Sequence, residues 1–344
     1  MKRHIIFLVL IFISILIFFL LNLILGTISI PLNSIWRILF NAGEESVIWQ
    51  NIIWKSRFPQ TITALFAGAG LSISGLQMQT VFRNPLAGPS ELGISSGASL
   101  GVAFIILLSG SIAGTALSKL GFFGEVAISI AAIAGAMAVM AIIIAISQRV
   151  RGNVILLIIG VMIGYIATAI IGVLKFFSND EDVRAYVIWG LGSFSKVSGN
   201  QVYTFACIMI VLIPISFLLI KTLNLMLLGE GYARNLGLNV KRARLSVIAC
   251  SCVITAIVTA YCGPIVFLGL AVPHLCRTIF MSSDHRILMP AVTLTGASLA
   301  LFCNLVARMP GFEGALPINS VTALIGAPIV ISVLFGKRKN EITE

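Results

Sequence analysis

Very few residues in this chain have the side chains and spacing for chemistry. Ten apolar stretches run through it, and the middle of each lacks Asp, Glu, Lys and Arg. The acidic residues, Glu91, Glu125, Glu230 and Glu313 among them, sit near the ends of the stretches or between them. A charge held at mid-membrane is costly and is kept where a proton or ion must be handled. Its absence argues against an ion-coupled carrier and against an intramembrane hydrolase. His274 lies one helical turn from Arg277, near the end of its stretch, and reads as a structural pair rather than a proton relay. The six cysteines, Cys207, Cys250, Cys252, Cys262, Cys276 and Cys303, fall in or at the ends of apolar runs with no metal-ligand spacing, so they read as small apolar side chains. No catalytic group, metal site or cofactor site is expected.

Small residues form the remaining pattern. Gly160, Gly164, Thr168 and Gly172 recur every four residues and share one helix face. Such a stripe packs helices closely, or gives a smooth wall to a passage for a bulky solute. Ser95, Ser96, Gly97, Ala98, Ser99 and Gly101 form a second cluster, and Asn319, Ser320, Thr322, Gly326 and Pro328 a third.

The elements that position these residues follow from composition. Of 344 residues 58% are hydrophobic and 10% charged, against about 25% charged in a soluble domain. Mean hydropathy is +1.07. Lipid must therefore be most of the surrounding solvent. The apolar runs begin near Ile5, Thr61, Leu92, Val126, Val154, Val202, Leu245, Pro264, Ile287 and Ile318. They are continuous rather than alternating, so they predict helices and not barrel strands. The expectation is an all-α membrane protein of about ten spans in a single transmembrane domain, residues 1–344. With the N-terminus inside, most Lys and Arg fall on inner segments, which places both termini in the cytoplasm. The net charge of +11 then needs only anionic lipid as its partner, not nucleic acid.

Three connecting stretches stand out. Pro31–Arg57 carries an amphipathic piece around Trp36–Phe40 expected on the membrane surface. Ser178–Gly199 is too apolar around Tyr186–Trp189 for a solvated loop and is expected to dip back into the protein. Asn224–Arg244 is basic and punctuated by glycine, and predicts short helices at the inner face. Gly68-Ala69-Gly70-Leu71-Ser72 in the second span echoes Gly296-Ala297-Ser298-Leu299-Ala300 in the ninth, which suggests an inverted repeat.

The segment RFPQTITALFAGAGLSISGLQMQTVFRNPLAGPSELGISSGASLG, Arg57 to Gly101, resembles the membrane subunits of bacterial importers for ferric siderophores, haem and cobalamin, the iron-compound permease family. LGEGYARNLGL, GPIVFLGLAVPHLCR, DHRILMP and LPINSVTALIGAPIVISVL resemble it further along, in the same order. The resemblance implies a fold like that of the cobalamin importer permease, in the bacterial plasma membrane. It implies a second permease copy or paralogue, a pair of cytoplasmic ATPase subunits and an extracytoplasmic substrate-binding protein. The cargo would be a ferric siderophore or similar chelate, with haem or cobalamin as alternatives.

The resemblance also implies roles for residues. Gly160, Gly164, Thr168 and Gly172 would line the pathway. Asn84, Pro85 and Leu86, with Asn153, would form the inner gate. Gly229, Glu230, Ala233 and Gly237, in the loop at about 224–244, would dock on the ATPase. Arg57 and Arg308 would receive acidic residues of the binding protein. Gln60 stands where some members carry another arginine, a departure expected to retune docking.

Overall fold

The computed structural model describes residues 2–26, 28, 30–40, 46–113, 122–149, 153–197, 199–309 and 315–341. Those residues fold as helices joined by short connections. α1 (Lys2–Ile24) is followed by α2 (Leu32–Leu39), the amphipathic piece foreseen near Trp36. α3 (Val47–Ile52) runs through one π turn at Ile53–Arg57 into α4 (Phe58–Phe82) without a break, so the second span continues a helix that starts well before it. Then come α5 (Ile94–Ala113), α6 (Phe122–Arg149), α7 (Asn153–Phe176), α8 (Asp180–Gly190) and α9 (Asn200–Leu218). The remainder is α10 (Ile220–Leu227), α11 (Glu230–Asn235), α12 (Val240–Cys262), α13 (Leu268–Phe280), α14 (His285–Ala307) and α15 (Ile318–Glu341).

Seven of these helices are long and apolar enough to cross a membrane by themselves, and the apolar parts of α5, α13 and α15 supply three shorter ones. Each of the ten apolar runs thus carries helix among the described residues, seven of them in helices long enough to cross a membrane and three in shorter ones. α4 is the hub: nearly all of its residues are buried, and it packs on α14, α12, α13 and α9. α1 lies at the edge, packed on α14 along one side, with few of its residues fully buried and many of its apolar side chains exposed. That exposure suits a helix solvated by lipid rather than water.

Lipid tails give helices no hydrophobic drive toward each other, so close backbone approach has to hold them. The echo between α4 and α14 has this origin. A Cβ on Gly68 would overlap the carbonyl of Gly296, and one on Gly296 would overlap the carbonyl of Gly68 and the Ser72 hydroxyl. The two small-residue stretches are each other's contact surface, so packing alone explains their likeness and it does not by itself relate the helices as repeats. Buried amides tie the same helices further. Gln60 donates to Asn304 Oδ1 at 2.9 Å, Asn304 donates to Asn22 Oδ1 at 2.7 Å, and Asn22 donates to the carbonyls of Phe18 and Leu301. This chain joins α1, α4 and α14. Gln60 is part of it and buried, so its amide serves the interior and not a docking surface.

α8 is the dip foreseen in Ser178–Gly199. Asp180, Glu181 and Asp182 occupy its first turn, where the helix dipole favours anions, and Tyr186 and Trp189 are buried.

Candidate functional site

The stripe on α7 divides into two parts. Gly160 is buried: a Cβ there would stand 2.8 Å from Leu92 Cα and 3.2 Å from the Glu91 carbonyl oxygen. Gly93 answers from the other side, at φ 76°, where a Cβ would meet the Gly160 oxygen at 2.9 Å. A Cβ on Gly164 would stand at ordinary contact, 3.4 Å from Ser96 Oγ, and one on Gly93 would come 3.3 Å from Gly164 N. Gly160 and Gly164 therefore seat α7 against the start of α5. Thr168 and Gly172 lie on the exposed part of the face, with nothing near Gly172. Thr168 bonds back to the Gly164 carbonyl at 2.9 Å, which satisfies its hydroxyl donor within the helix.

The basic face gathers groups that the sequence keeps far apart. α4 ends at Arg83, a left-handed residue, and the turn Asn84-Pro85-Leu86 follows, held by Leu86 N–H donating to Asn84 Oδ1 at 2.9 Å. Above the turn, Gln79 accepts from Arg277 at 2.7 Å and donates to the Leu270 carbonyl at 3.2 Å. Thr80 pairs with His285 Nε2 at 2.8 Å. Asn224 of α10 accepts from His285 N–H at 2.9 Å, lies 2.8 Å from its Nδ1, and donates to Asp284 at 2.7 Å. Asp284 also caps α14 through the Arg286 N–H, and these bonds hold its carboxyl below the usual range. Clefts of about 310 and 340 Å³ open here and share Pro85, Arg277 and Ser283. Sequence reasoning missed this cluster; the signal was four polar residues, Gln79, Thr80, Arg277 and His285, at the ends of otherwise apolar helices. Asn153 opens α7, but its side chain lies outside the described residues.

The short helices expected in Asn224–Arg244 are the second half of α10, which begins earlier at Ile220, and the whole of α11; α12 begins at Val240. Gly229 (φ 110°) and Gly237 (φ 85°) bracket α11 in backbone conformations that favour glycine. Glu230 pairs with Arg244 and lies 3.9 Å from Arg234. Ala233 is buried, its N–H on the Gly229 carbonyl. Tyr232 and the C-cap residue Leu236 stay exposed beside Arg234 and Asn235, so the outer side of α11 mixes apolar and polar groups.

The opposite face requires a correction. Arg57 is 1% exposed, and its guanidinium donates to the carbonyls of Leu23 and Ile24 at 2.7 Å each and to Ile28. It caps the C-terminal end of α1, where carbonyls lack partners and a cation is favoured. A side chain so enclosed is not presented to a docking protein. Arg308 comes beside it, with both guanidinium groups within about 3 Å of where a Gly26 Cβ would stand. Arg308 is only half-buried, but its Nη1 is shut off from solvent with no hydrogen-bond partner among the described residues. Burial, with the Arg57 charge adding, pushes its pKa down to about 10. Also on this face is a cavity of about 260 Å³ lined by Glu125, Asp182, Trp189, Lys196 and Gln201. Lys196 donates to the Ile188 and Trp189 carbonyls at 3.2 and 3.1 Å and closes the end of α8; burial lowers its pKa to about 8.

The eighth span differs from the continuous run expected from Pro264. Gly263–Phe267 is not helical, and α13 starts only at Leu268. Irregular backbone at membrane depth survives where protein satisfies its polar groups. Here Ser193 N–H donates to the Cys262 carbonyl at 2.8 Å, Val266 N–H to Asn319 Oδ1 at 3.1 Å, and Asn319 N–H to the Leu191 carbonyl at 3.3 Å. Phe267 takes φ 70°, and Gly326 of α15 leaves the room it needs: a Cβ there would stand 2.6 Å from Phe267 Cβ. Asn319 and Gly326, read from sequence as wall or packing residues, secure this break. Among the described residues no group of His, Cys, Asp and Glu is placed to hold a metal.

The profile of the FecCD transport family matches residues 14–336. The hemin transport system permease protein HmuU of Yersinia pestis is 32% identical over 317 residues, 92% of this chain and 91% of that protein. The vitamin B12 import system permease protein BtuC of Escherichia coli O9:H4 is 35% identical over 290 residues, 83% of this chain and 84% of that one. A solved metal-chelate type ABC transporter in an inward-facing conformation, 28% identical, superposes with a TM-score of 0.81 over 96% of this chain and 98% of that one.

Proposed function

This chain belongs to the FecCD transport family, and from that premise we propose that it is the permease subunit of an ATP-binding-cassette importer carrying an iron chelate across the bacterial plasma membrane. One observation carries the reading: relatives named as hemin and vitamin B12 permeases align along nearly the whole chain, not along one span. The chemistry agrees. Spans without Asp, Glu, Lys or Arg at their centres lack the charged groups that couple transport to a proton or sodium gradient, so the driving force comes from ATPase subunits at the basic face, the cytoplasmic side, where both termini lie. α11, with Gly229, Glu230, Ala233 and Gly237, is the element those subunits engage. The 84–86 turn, with Asn153, narrows the inner mouth, and Thr168 and Gly172 face the passage. A second permease copy or paralogue completes that passage. A substrate-binding protein delivers cargo at the opposite face, where Arg308 meets one of its carboxylates.

The cargo is a bulky chelate, with a ferric siderophore first and haem or cobalamin as alternatives. The test measures accumulation of a radio-iron ferric trihydroxamate, haemin and cyanocobalamin in cells with and without the gene. One of the three should depend on it and be lost when the partner ATPase is inactivated. Uptake that survives ATPase inactivation and collapses with the proton gradient would show a secondary carrier instead. Arg308→Glu should lower uptake with normal membrane insertion.

A further inference from the structure

α4 ends in a way its backbone alone does not favour. Arg83 N–H reaches the Thr80 carbonyl and Asn84 N–H reaches back to Gln79, the pattern that closes a helix through a left-handed residue. Glycine usually holds that position, because a side chain there adds strain. Arg83 sits in it at φ 48°, ψ 35°. Backbone strain retained at one residue is compensated by what its side chain does. Arg83 Nη2 donates to the Met226 carbonyl at 2.9 Å, in the last turn of α10. Gly229 is shaped by the same group: a Cβ there would stand 3.3 Å from Arg83 Nη2.

We propose that Arg83 is the positioning residue that passes movement of the 220–237 segment to the 84–86 turn. α10 has two polar holds. Asn224 fixes it to the start of α14, and His285 there returns to α4 through Thr80. The second hold is Arg83, which comes directly from the residue before the turn. A shift of α10 or α11 therefore pulls on the backbone at residue 83, and the turn that begins at Asn84 must follow. Thr80, Gln79 and Arg277 keep the preceding turn of α4 anchored to α13 and α14, so the movement is directed into the turn and not along α4.

This rests on the reading of the chain as an importer permease only for what drives the segment; the link itself belongs to the permease alone. Arg83→Gly tests both, since glycine suits the left-handed site and removes only the side chain. In the purified permease, amide exchange over residues 224–231 should rise about fivefold, the effect of losing one partly exposed charged hydrogen bond, with the first half of α4 unchanged. Unaltered exchange overturns the link. In liposomes holding the permease with its ATPase and binding protein, the cargo is whichever of haemin, cyanocobalamin or a ferric trihydroxamate the native assembly accumulates. Arg83→Gly should hydrolyse ATP at near the native rate while moving several-fold less cargo per ATP, and Arg83→Lys should recover part of the ratio. A native ratio in Arg83→Gly, or loss of the ATPase from the assembly, overturns the proposal. If the native assembly accumulates none of the three, the importer reading fails, while the exchange result still decides the link.

Discussion

Gly160 and Gly172 lie on one helix and belong to one stripe, yet the same substitution should move them in opposite directions. Alanine in place of a helical glycine gains about 0.5–1 kcal/mol from backbone entropy alone. At Gly172 nothing stands near the new methyl, so Gly172→Ala should keep that gain. At Gly160 the methyl would stand 2.8 Å from Leu92 Cα and 3.2 Å from the Glu91 carbonyl oxygen. Both are backbone atoms and cannot swing aside, so α7 must move off α5. Overpacking of this kind costs about 1–3 kcal/mol, which outweighs the gain. The shared entropy gain cancels between the two variants, so they should differ by the overpacking cost of about 1–3 kcal/mol, or roughly 1–4 °C in unfolding temperature for a chain of this size. The chain carries its own probe: Cys252, Cys262, Cys276 and Cys303 are buried and free, so a thiol-reactive dye reports melting in detergent. Shifts of the same sign for Gly160→Ala and Gly172→Ala would refute the division of the stripe into a packing part and an open part.

The amide chain through Asn304 makes a second prediction. Asn304→Ala strands the Gln60 amide and the Asn22 oxygen in the interior and should cost about 2–4 kcal/mol; adding Gln60→Leu should return part of it, and simple additivity of the two losses in a thermal melt would show that they act independently. Lys196 makes a third, in pH. Its pKa falls from 10.5 to about 8 on folding, so between those values the unfolded chain binds more protons and stability must rise with pH. The melting temperature of the native chain should therefore gain on that of Lys196→Met between about pH 7 and pH 10, and parallel curves would show that Lys196 is not shielded from solvent.

The order and number of the spans were legible in the sequence because the bilayer imposes a local rule: about 20 apolar residues per crossing. The same rule exposed the dip at Tyr186–Trp189 and the short helices of 224–244, since each breaks it in composition. Close packing was legible as small residues, but not which helix each one met. Gly160 and Gly172 look alike in sequence, and only α5 lying against one and not the other separates them. Arg57 shows the same limit. An arginine at the end of a span reads as an outward charge until the carbonyls ending α1, more than 30 residues earlier in the chain, are found around it. Gln79, Thr80 and His285 stand out in the sequence only as polar residues at the ends of apolar helices, and nothing local joins them to Arg83 or Asn224, because a hydrogen bond depends on two partners meeting in space. Composition thus settled that the chain is built for lipid and where its apolar helices fall. Tertiary packing alone decided which polar groups are enclosed, which stay exposed, and which partner each one meets.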